Sequence, residues 1–225
     1  MNKLYIIPKD IGNIEDVSLR VKKTIEECDF IVCEDTRVVG TFIKKLGIEK
    51  KEYISFTEHT QMKKTPLIIN KIHQGKICGL LSDSGMPLIS DPGFYLVREA
   101  IKKNIKIVPL PGPVAFITAL VASGLPTDSF TFYGFLPKKK GKKEKKLKEA
   151  LSRNETSIFY ESPYRIDETL KNISNIDPER NIVIARELTK TFEEFIRGSV
   201  VDVLKKEWVR KGEIVLLIEG NKDDK

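Results

Sequence analysis

The sequence lacks any apolar run of about 18 residues, the length that a membrane-spanning helix requires. Its first residues, MNKLYIIPKD, turn polar after four apolar residues, which is too short for the core of a signal peptide. It has only three cysteines and two histidines, with no Cys-x-x-Cys pair, so neither a disulfide framework nor a structural zinc site is expected. We therefore expect a soluble, cytoplasmic protein with reduced cysteines.

Two phosphate-binding motifs are also absent. Neither Gly-x-Gly-x-x-Gly nor Gly-x4-Gly-Lys-Ser/Thr occurs, which argues against the usual dinucleotide and nucleoside-triphosphate sites. Positive charge, in contrast, is plentiful: 39 Lys and Arg against 32 Asp and Glu give a net charge of +7. Residues 138–148 alone contain eight lysines. This lysine-rich segment is either a solvated linker or a surface for a polyanion such as RNA.

Short β-rich runs alternate with helical patterns along most of the 225 residues. This alternation indicates βαβ units and a mainly parallel sheet. Pro109–Pro113 interrupts it near the midpoint, so we predict two α/β domains, 1–111 and 112–225. The predicted strands are 4–7, 30–33, 53–56, 77–82 and 105–110 in the first domain, and 130–133, 156–160, 181–186, 192–197 and 213–219 in the second.

Small, polar and acidic residues collect where the predicted strands of the first domain end. Ligands of open α/β sheets bind at the carboxyl ends of the strands. Each loop by itself also fits an ordinary turn, because Gly, Pro, Asp and Ser dominate turns. The residues alone therefore predict a ligand crevice without identifying its ligand. The loops concerned are 8–13, 34–37, 82–93 and 111–113.

Ionisable residues follow two predicted strands of the second domain. Glu161 and Arg165 lie in the first of these segments, and Arg186, Glu187 and Lys190 lie in the second. They form either a surface set of salt bridges, which would stabilise the fold little, or a site. In a site, such carboxylates and cations would orient a hydroxyl group and accept its proton.

Nine segments that follow one another along the chain resemble a single family. They are Leu4–Ile7 with Ile11–Asn13, Cys33–Arg37, Ser82–Gly93, Pro109–Pro113, Ser123–Asp128, Gly134–Lys138, Tyr160–Arg165, Ala185–Lys190 and Lys211–Leu216. Together they resemble the ribosomal RNA small-subunit methyltransferase I family, which belongs to the tetrapyrrole (corrin/porphyrin) methylase superfamily.

This resemblance implies a tetrapyrrole-methylase-like architecture of two α/β domains, the first with a mainly parallel sheet and the second with a mixed sheet. It implies S-adenosylmethionine (SAM) in a cleft between the domains, no metal, and usually a homodimer. The implied activity is methylation of the ribose 2′-hydroxyl of a cytidine in 16S ribosomal RNA of the small subunit. Carried over by position, the cofactor contacts are Asp10, Ser84, Gly85, Met86, Ile89, Val114, Ala115, Glu161 and Leu188.

The resemblance also directs attention to the groups that would assist methyl transfer. Positioning supplies much of the rate, and a base that removes the hydroxyl proton would add to it. Gly85 would let the main chain approach the cofactor closely. The candidate bases are Glu34, Asp35, Glu161 and Glu187, and the cations that would orient substrate or phosphate are Arg37, Arg165 and Lys190.

The chain departs from the family pattern within the expected cofactor region. The family commonly has Thr-Pro at Lys9-Asp10, Thr at Met86 and Ser at Val114. Two alternatives therefore stay open, a methylase of a tetrapyrrole or other small molecule and a non-catalytic RNA-binding assembly factor. The lysine-rich segment disfavours the first, because a small macrocycle needs no long basic surface.

Overall fold

The computed structural model describes residues 2–221. Contacts divide the chain into a first unit that ends at Val114 and a second unit that begins at Ala115. The domain boundary expected after residue 111 stays a prediction. No helix within residues 2–221 is both long and apolar enough to span a membrane.

The first unit contains a parallel sheet of five strands in the order β3-β2-β4-β1-β5. This confirms the predicted α/β class and parallel sheet. Its strands are β1 (Lys3–Ile7), β2 (Phe30–Cys33), β3 (Glu52–Ser55), β4 (Cys78–Leu81) and β5 (Lys106–Pro109). Its helices are α1 (Leu19–Glu27), α2 (Thr36–Lys45), α3 (Gln61–His73) and α4 (Phe94–Lys102).

Helices cover both faces of this sheet. Ile68 of α3 and Leu96 of α4 are buried in one apolar cluster, and Val21 of α1 and Phe42 of α2 are buried in another. The central strands are buried on both sides, which is why they appear in the sequence as continuous apolar runs. On α1, the spacing in the sequence predicts Leu19, Val21 and Ile25 roughly on one face. Val21 and Ile25 are buried, but Leu19 is 79% exposed, so its predicted place on that face is wrong.

The second unit contains a mixed sheet of five strands in the order β6-β7-β10-β8-β9. β6 and β7 are parallel, and the other three pairings are antiparallel, as the resemblance implied. Its strands are β6 (Phe130–Phe135), β7 (Thr156–Glu161), β8 (Asn181–Arg186), β9 (Glu194–Ser199) and β10 (Ile214–Ile218). Its helices are α5 (Ala115–Ser123), α6 (Lys140–Leu151), α7 (Ile166–Ser174) and α8 (Val200–Lys205).

β10 lies at the centre of the second sheet, and all five of its residues are buried. Its first residue, Ile214, pairs with Glu161 of β7 and with Arg186 of β8. Glu161 and Arg186 are the last residues of their strands. The carboxyl ends of β7 and β8 therefore lie at the same edge of the sheet, on either side of the start of β10.

Most of the lysine-rich segment forms α6, so the interpretation as a solvated linker is wrong. One side of α6 packs into the core through Leu147, Ala150 and Leu151. Lys143 is also buried on this side, and its Nζ lies 2.8 Å from Oε2 of Glu168 on α7. The segment thus has a structural face and a second, solvent-facing lysine face.

Candidate active site

The carboxyl edge of the first sheet carries all of the site residues predicted in that unit. Because its strands are parallel, the loops that follow them all leave from this edge. The predicted residues found in these loops, or at the start of the helix that follows, are Asp10, Glu34, Asp35, Arg37, Ser84, Gly85, Met86, Ile89 and Val114.

Main-chain hydrogen bonds hold the loops after β1 and β4 together. The Lys9 N–H donates to the Gly85 carbonyl at 2.9 Å, and the Gly85 N–H donates to the Asp10 carbonyl at 3.2 Å. The buried Ser82 hydroxyl donates to the same Gly85 carbonyl at 2.6 Å. Two segments that are more than 70 residues apart in the chain, at Asp10 and Gly85, thus form one connected main-chain surface.

Gly85 is required by the packing of this loop. Its φ is +69°, and a Cβ there would lie 3.1 Å from Ile11 Cγ2 and 3.2 Å from the Pro113 carbonyl oxygen. A side chain would therefore strain the loop against the protein itself. The structure thus gives a reason for the glycine besides the close approach to a cofactor predicted from the sequence.

The loop after β4 also has strained main chain at two residues with side chains. Leu88 and Ser90 have φ values of +72° and +65°, and they flank the predicted cofactor residue Ile89. Each such residue costs on the order of 1–3 kcal/mol, and strain of this kind concentrates at ligand-binding and active sites. No sequence pattern indicated it.

Three carboxylates, which we call the acidic group, meet where β2 and β4 end: Glu34, Asp83 and Asp91 line one small cavity. Burial, followed by the charges of Glu34 and Asp83, raises the pKa of Asp91 to about 6. Burial also raises the pKa of Asp83. Glu34 is exposed, and within residues 2–221 its carboxylate forms no hydrogen bond or ion pair. The sequence analysis missed Asp83 and Asp91, although their loop was identified.

Asp35 has a different environment from its neighbour Glu34. Its Oδ1 caps α2 by accepting the Arg37 N–H at 2.8 Å, and its Oδ2 lies 2.6 Å from Arg37 Nη2. Hydrogen bonds from the Arg37 side chain and main chain hold the pKa of Asp35 well below its usual range. Such a carboxylate is a weak base.

The unusual pair Lys9-Asp10 lies beside a cavity of about 570 Å³ between the loop after β1 and helix α2. Lys9 Nζ lies 3.2 Å from Asp10 Oδ1 and 5.4 Å from the centre of the Phe42 ring. Arg37 and Lys45 line the same cavity. Lys9 and Asp10, which depart from the family pattern, therefore form an ion pair with each other. The cavity wall beside them carries a net positive charge.

In the second unit, Glu161 is a buried carboxylate whose two oxygens both accept hydrogen bonds from neighbouring groups. Its Oε1 accepts from Arg165 Nε at 2.8 Å and from the Ser162 N–H at 2.7 Å. Its Oε2 accepts from the Thr169 hydroxyl at 2.8 Å. Arg165 also donates to the Leu136 carbonyl at 3.2 Å. Glu161 and Arg165 therefore fix the loop after β7.

The loop after β8 repeats the strain seen after β4. Glu187 and Thr189 have φ values of +50° and +64°, and they flank the buried, predicted cofactor residue Leu188. Glu187 Oε1 accepts from Lys190 Nζ at 3.0 Å and from the Glu213 N–H at 2.9 Å. Burial raises the pKa of Glu187, but these two hydrogen bonds and the charges of Lys190 and Arg186 together outweigh it and leave the pKa below its ordinary value.

One buried polar atom in this loop has no partner. The Thr189 hydroxyl oxygen is inaccessible to solvent and forms no hydrogen bond within the described part of the chain. Buried hydroxyl groups are nearly always hydrogen-bonded, so an orphan beside a strained loop is the environment expected where a polar ligand completes the structure. Ala115, the remaining predicted cofactor residue, begins α5 in this second unit.

Each of the two units thus has loops suited to a ligand. Comparison with known proteins identifies the class of protein to which the chain belongs. A sequence model of the tetrapyrrole (corrin/porphyrin) methylases matches residues 3–204. The structure of uroporphyrin-III-C-methyltransferase from Thermus thermophilus aligns over 97% of this chain and 94% of its own, with a TM-score of 0.69 and 18% identity. That of cobalt precorrin-4 methyltransferase aligns over 96% and 94%, with a TM-score of 0.65 and 17% identity. The chain has the tetrapyrrole methylase fold.

Relatives with higher identity narrow this class. Ribosomal RNA small subunit methyltransferase I of Hydrogenobaculum sp. is 47% identical over 96% of this chain and 95% of its own length. The protein of that name from Halalkalibacterium halodurans is 44% identical over 97% of this chain and 76% of its own. The one from Vibrio cholerae is 42% identical over 98% and 78%. The chain belongs to the ribosomal RNA small subunit methyltransferase I family.

Proposed function

We propose that this protein is a cytoplasmic, SAM-dependent methyltransferase that modifies the ribose 2′-hydroxyl of a cytidine in 16S ribosomal RNA, and that it acts as a homodimer. The observation that supports this best is 42–47% identity to methyltransferase I relatives over nearly the whole chain. The uroporphyrin-III and cobalt precorrin-4 methyltransferases of known structure are only 16–18% identical, and such distant likeness supports the fold alone.

The residues present fit SAM. The orphaned Thr189 hydroxyl gives a polar ligand group a partner, and apolar Ile89 and Leu188 each lie between two residues with positive φ. When bound, SAM would supply an electrophilic sulfonium methyl group for transfer to the ribose oxygen, with S-adenosylhomocysteine as the leaving group. We assign its contacts in the first unit to Asp10, Ser84, Gly85, Met86, Ile89 and Val114, and in the second unit to Ala115, Glu161 and Leu188.

Asp91 is the carboxylate best suited to accept the hydroxyl proton. With a pKa of about 6 it is mostly ionised at neutral pH and still basic enough to assist the transfer. Glu34, which contributes to that shift, is the second choice. Asp35 and Glu187 have lowered pKa values, and the Glu161 carboxylate already accepts several hydrogen bonds. These three carboxylates suit positioning better than proton transfer.

Transfer of tritiated methyl groups from SAM tests the substrate. The acceptors are intact small ribosomal subunits, free 16S RNA and a precorrin, offered separately and in competition. We expect label in the RNA, at a ribose oxygen of cytidine. Label in the precorrin would instead identify a tetrapyrrole methylase. No transfer, with no heat of SAM binding in calorimetry, would identify a non-catalytic RNA-binding factor.

Amide substitutions test the base. Asp91→Asn should lower turnover by about 100-fold, the usual size of a general-base contribution, while SAM affinity measured by calorimetry stays close to that of the wild type. Glu26→Gln is the matched control, because Glu26 is exposed at the end of α1, remote from the carboxyl edge. Turnover of Asp91→Asn within a few-fold of wild type would exclude Asp91 as the base.

A further inference from the structure

Tyr164 stands out because its side chain is almost fully exposed on a rigid loop. The residue is 97% exposed, directly after β7. Its N–H donates to the Ser162 hydroxyl at 3.3 Å, and the next N–H, that of Arg165, donates to the Ser162 carbonyl at 2.9 Å. The Arg165 guanidinium is fixed by its hydrogen bond to the Glu161 carboxylate. The ring is therefore presented to solvent from a loop that is already ordered.

The exposed lysines begin close to the loop that carries Tyr164. β6 and β7 are parallel, so α6 and α7 both start from the same edge of the sheet. Arg165, next to Tyr164 in the chain, donates to the Leu136 carbonyl through Nη1 and Nη2, each at 3.2 Å. Only Pro137 separates Leu136 from the exposed residues 138–140, which are all lysines. The tyrosine and the start of the basic helix thus belong to one surface.

The charge on this surface is unfavourable for the fold by itself. The first turn of α6 has no acidic residue, and Lys139 stands at its N-cap without a capping hydrogen bond. Cations at a helix N-terminus oppose the helix dipole. Farther along, Lys142, Lys145 and Lys148 are exposed and form no ion pair within residues 2–221, whereas the buried Lys143 binds Glu168. A bound polyanion would neutralise the exposed row.

We propose that Tyr164 stacks on an unpaired base of the substrate RNA while the exposed lysines of α6 contact the phosphates of the same strand. This inference rests on the proposed function and adds the form of RNA that is recognised. An aromatic ring beside a row of cations is the usual means of binding single-stranded RNA, whose splayed bases stack on aromatic side chains. A duplex keeps its base faces covered and offers the ring no partner.

Equilibrium binding of a short single-stranded RNA without SAM tests the stacking. In the RNA, one base is replaced by 2-aminopurine, whose fluorescence changes when it stacks. Tyr164→Ala should weaken binding roughly tenfold at every salt concentration, within the range measured for loss of one stacked base. It should also abolish the fluorescence change. Tyr164→Phe, which keeps the ring, should bind within twofold of the wild type, as should the surface control Leu19→Ala.

Salt dependence tests the lysines separately. The variant Lys142→Ser/Lys145→Ser should reduce the slope of log affinity against log salt by about 0.7 for each phosphate of a single strand that is no longer neutralised. The fluorescence change should remain, because the ring is intact. The control Lys23→Ser/Lys103→Ser removes the same charge from exposed positions of the first unit and should leave the slope unchanged.

Several results would overturn the proposal. They are equal affinity of Tyr164→Ala and wild type, equal affinity for single-stranded and duplex RNA, or an unchanged salt slope in the α6 variant. Methyl transfer to small subunits is measured independently. Normal transfer with no Tyr164 effect would reject the stacking and keep the proposed function. Loss of RNA binding in Tyr164→Ala, without methyl transfer by the wild type, would keep the stacking and reject the proposed function.

Discussion

Asp91 allows a test of the acidic group that requires neither RNA nor SAM. Its pKa is about 6 in the folded protein, against an ordinary value of 3.8. At low pH the carboxyl is protonated in both the folded and the unfolded state and contributes nothing. Between these two pKa values the unfolded chain ionises first, so the folded state loses stability as the pH rises through that window and does not regain it above. Asp91→Asn removes this loss.

The size of the effect follows from the same two values. The difference between about 6 and 3.8 corresponds to nearly 3 kcal/mol if it is fully transmitted to the free energy of unfolding. Asp91 is partly exposed, and solvent screening reduces this to about 1–1.5 kcal/mol. We therefore expect Asp91→Asn to be more stable than the wild type by about 1 kcal/mol at pH 8, and by roughly half as much at pH 5.

Urea denaturation of both proteins at the two pH values measures this difference. Glu26→Gln makes the same chemical change at an exposed carboxylate and should give no pH-dependent gain. If Asp91→Asn gains the same free energy at both pH values, or none, the raised pKa is refuted. If the gain is found together with the loss of turnover, the wild type keeps a destabilising carboxylate for its chemistry, a known trade-off between stability and activity.

Two further substitutions test the loops that support the site. Gly85→Ala should lower the free energy of unfolding by about 1–2 kcal/mol, because φ is +69° and the Cβ would press on Ile11. The control Gly141→Ala, in a helix with open space around it, should not destabilise the protein. Equal thermal denaturation of the two variants would contradict the packing argument. Glu161→Gln should lower the free energy of unfolding, measured by chemical denaturation, by about 3 kcal/mol, since Arg165 loses its charged partner. A decrease below about 0.5 kcal/mol would show that the ion pair does not stabilise the fold.

The sequence predicted the strands and most helices because their apolar patterns are regular. The sequence also predicts a helix near residues 141–152, which α6 (Lys140–Leu151) confirms, but the charge of the lysine-rich segment left a linker open as an interpretation. Burial decides between them, since Lys143, Leu147 and Ala150 face the core. A lysine is rarely buried, and its partner Glu168 lies on another helix, so composition alone could not reveal this face.

Much of the candidate site depends on strand order, which the sequence does not show. β2 and β4 are neighbours although β3 lies between them in the chain, and this pairing brings Glu34 to Asp83 and Asp91. The pKa of Asp91 follows from that arrangement and from burial. The strained residues around Ile89 and Leu188 likewise require backbone geometry. Which of the sequence-based site residues bind or act stays a prediction.

The central position of β10 has a consequence for synthesis of the protein on the ribosome. The first sheet has all of its strands once Pro109 has been made, so it can fold while translation continues. β7 and β8 have no partner on their facing edges until Ile214–Ile218 emerge, because β10 lies between them. Unpaired strand edges are templates for aggregation. We therefore expect nascent chains stalled between β9 and β10 to depend on chaperones more than chains stalled after the first sheet.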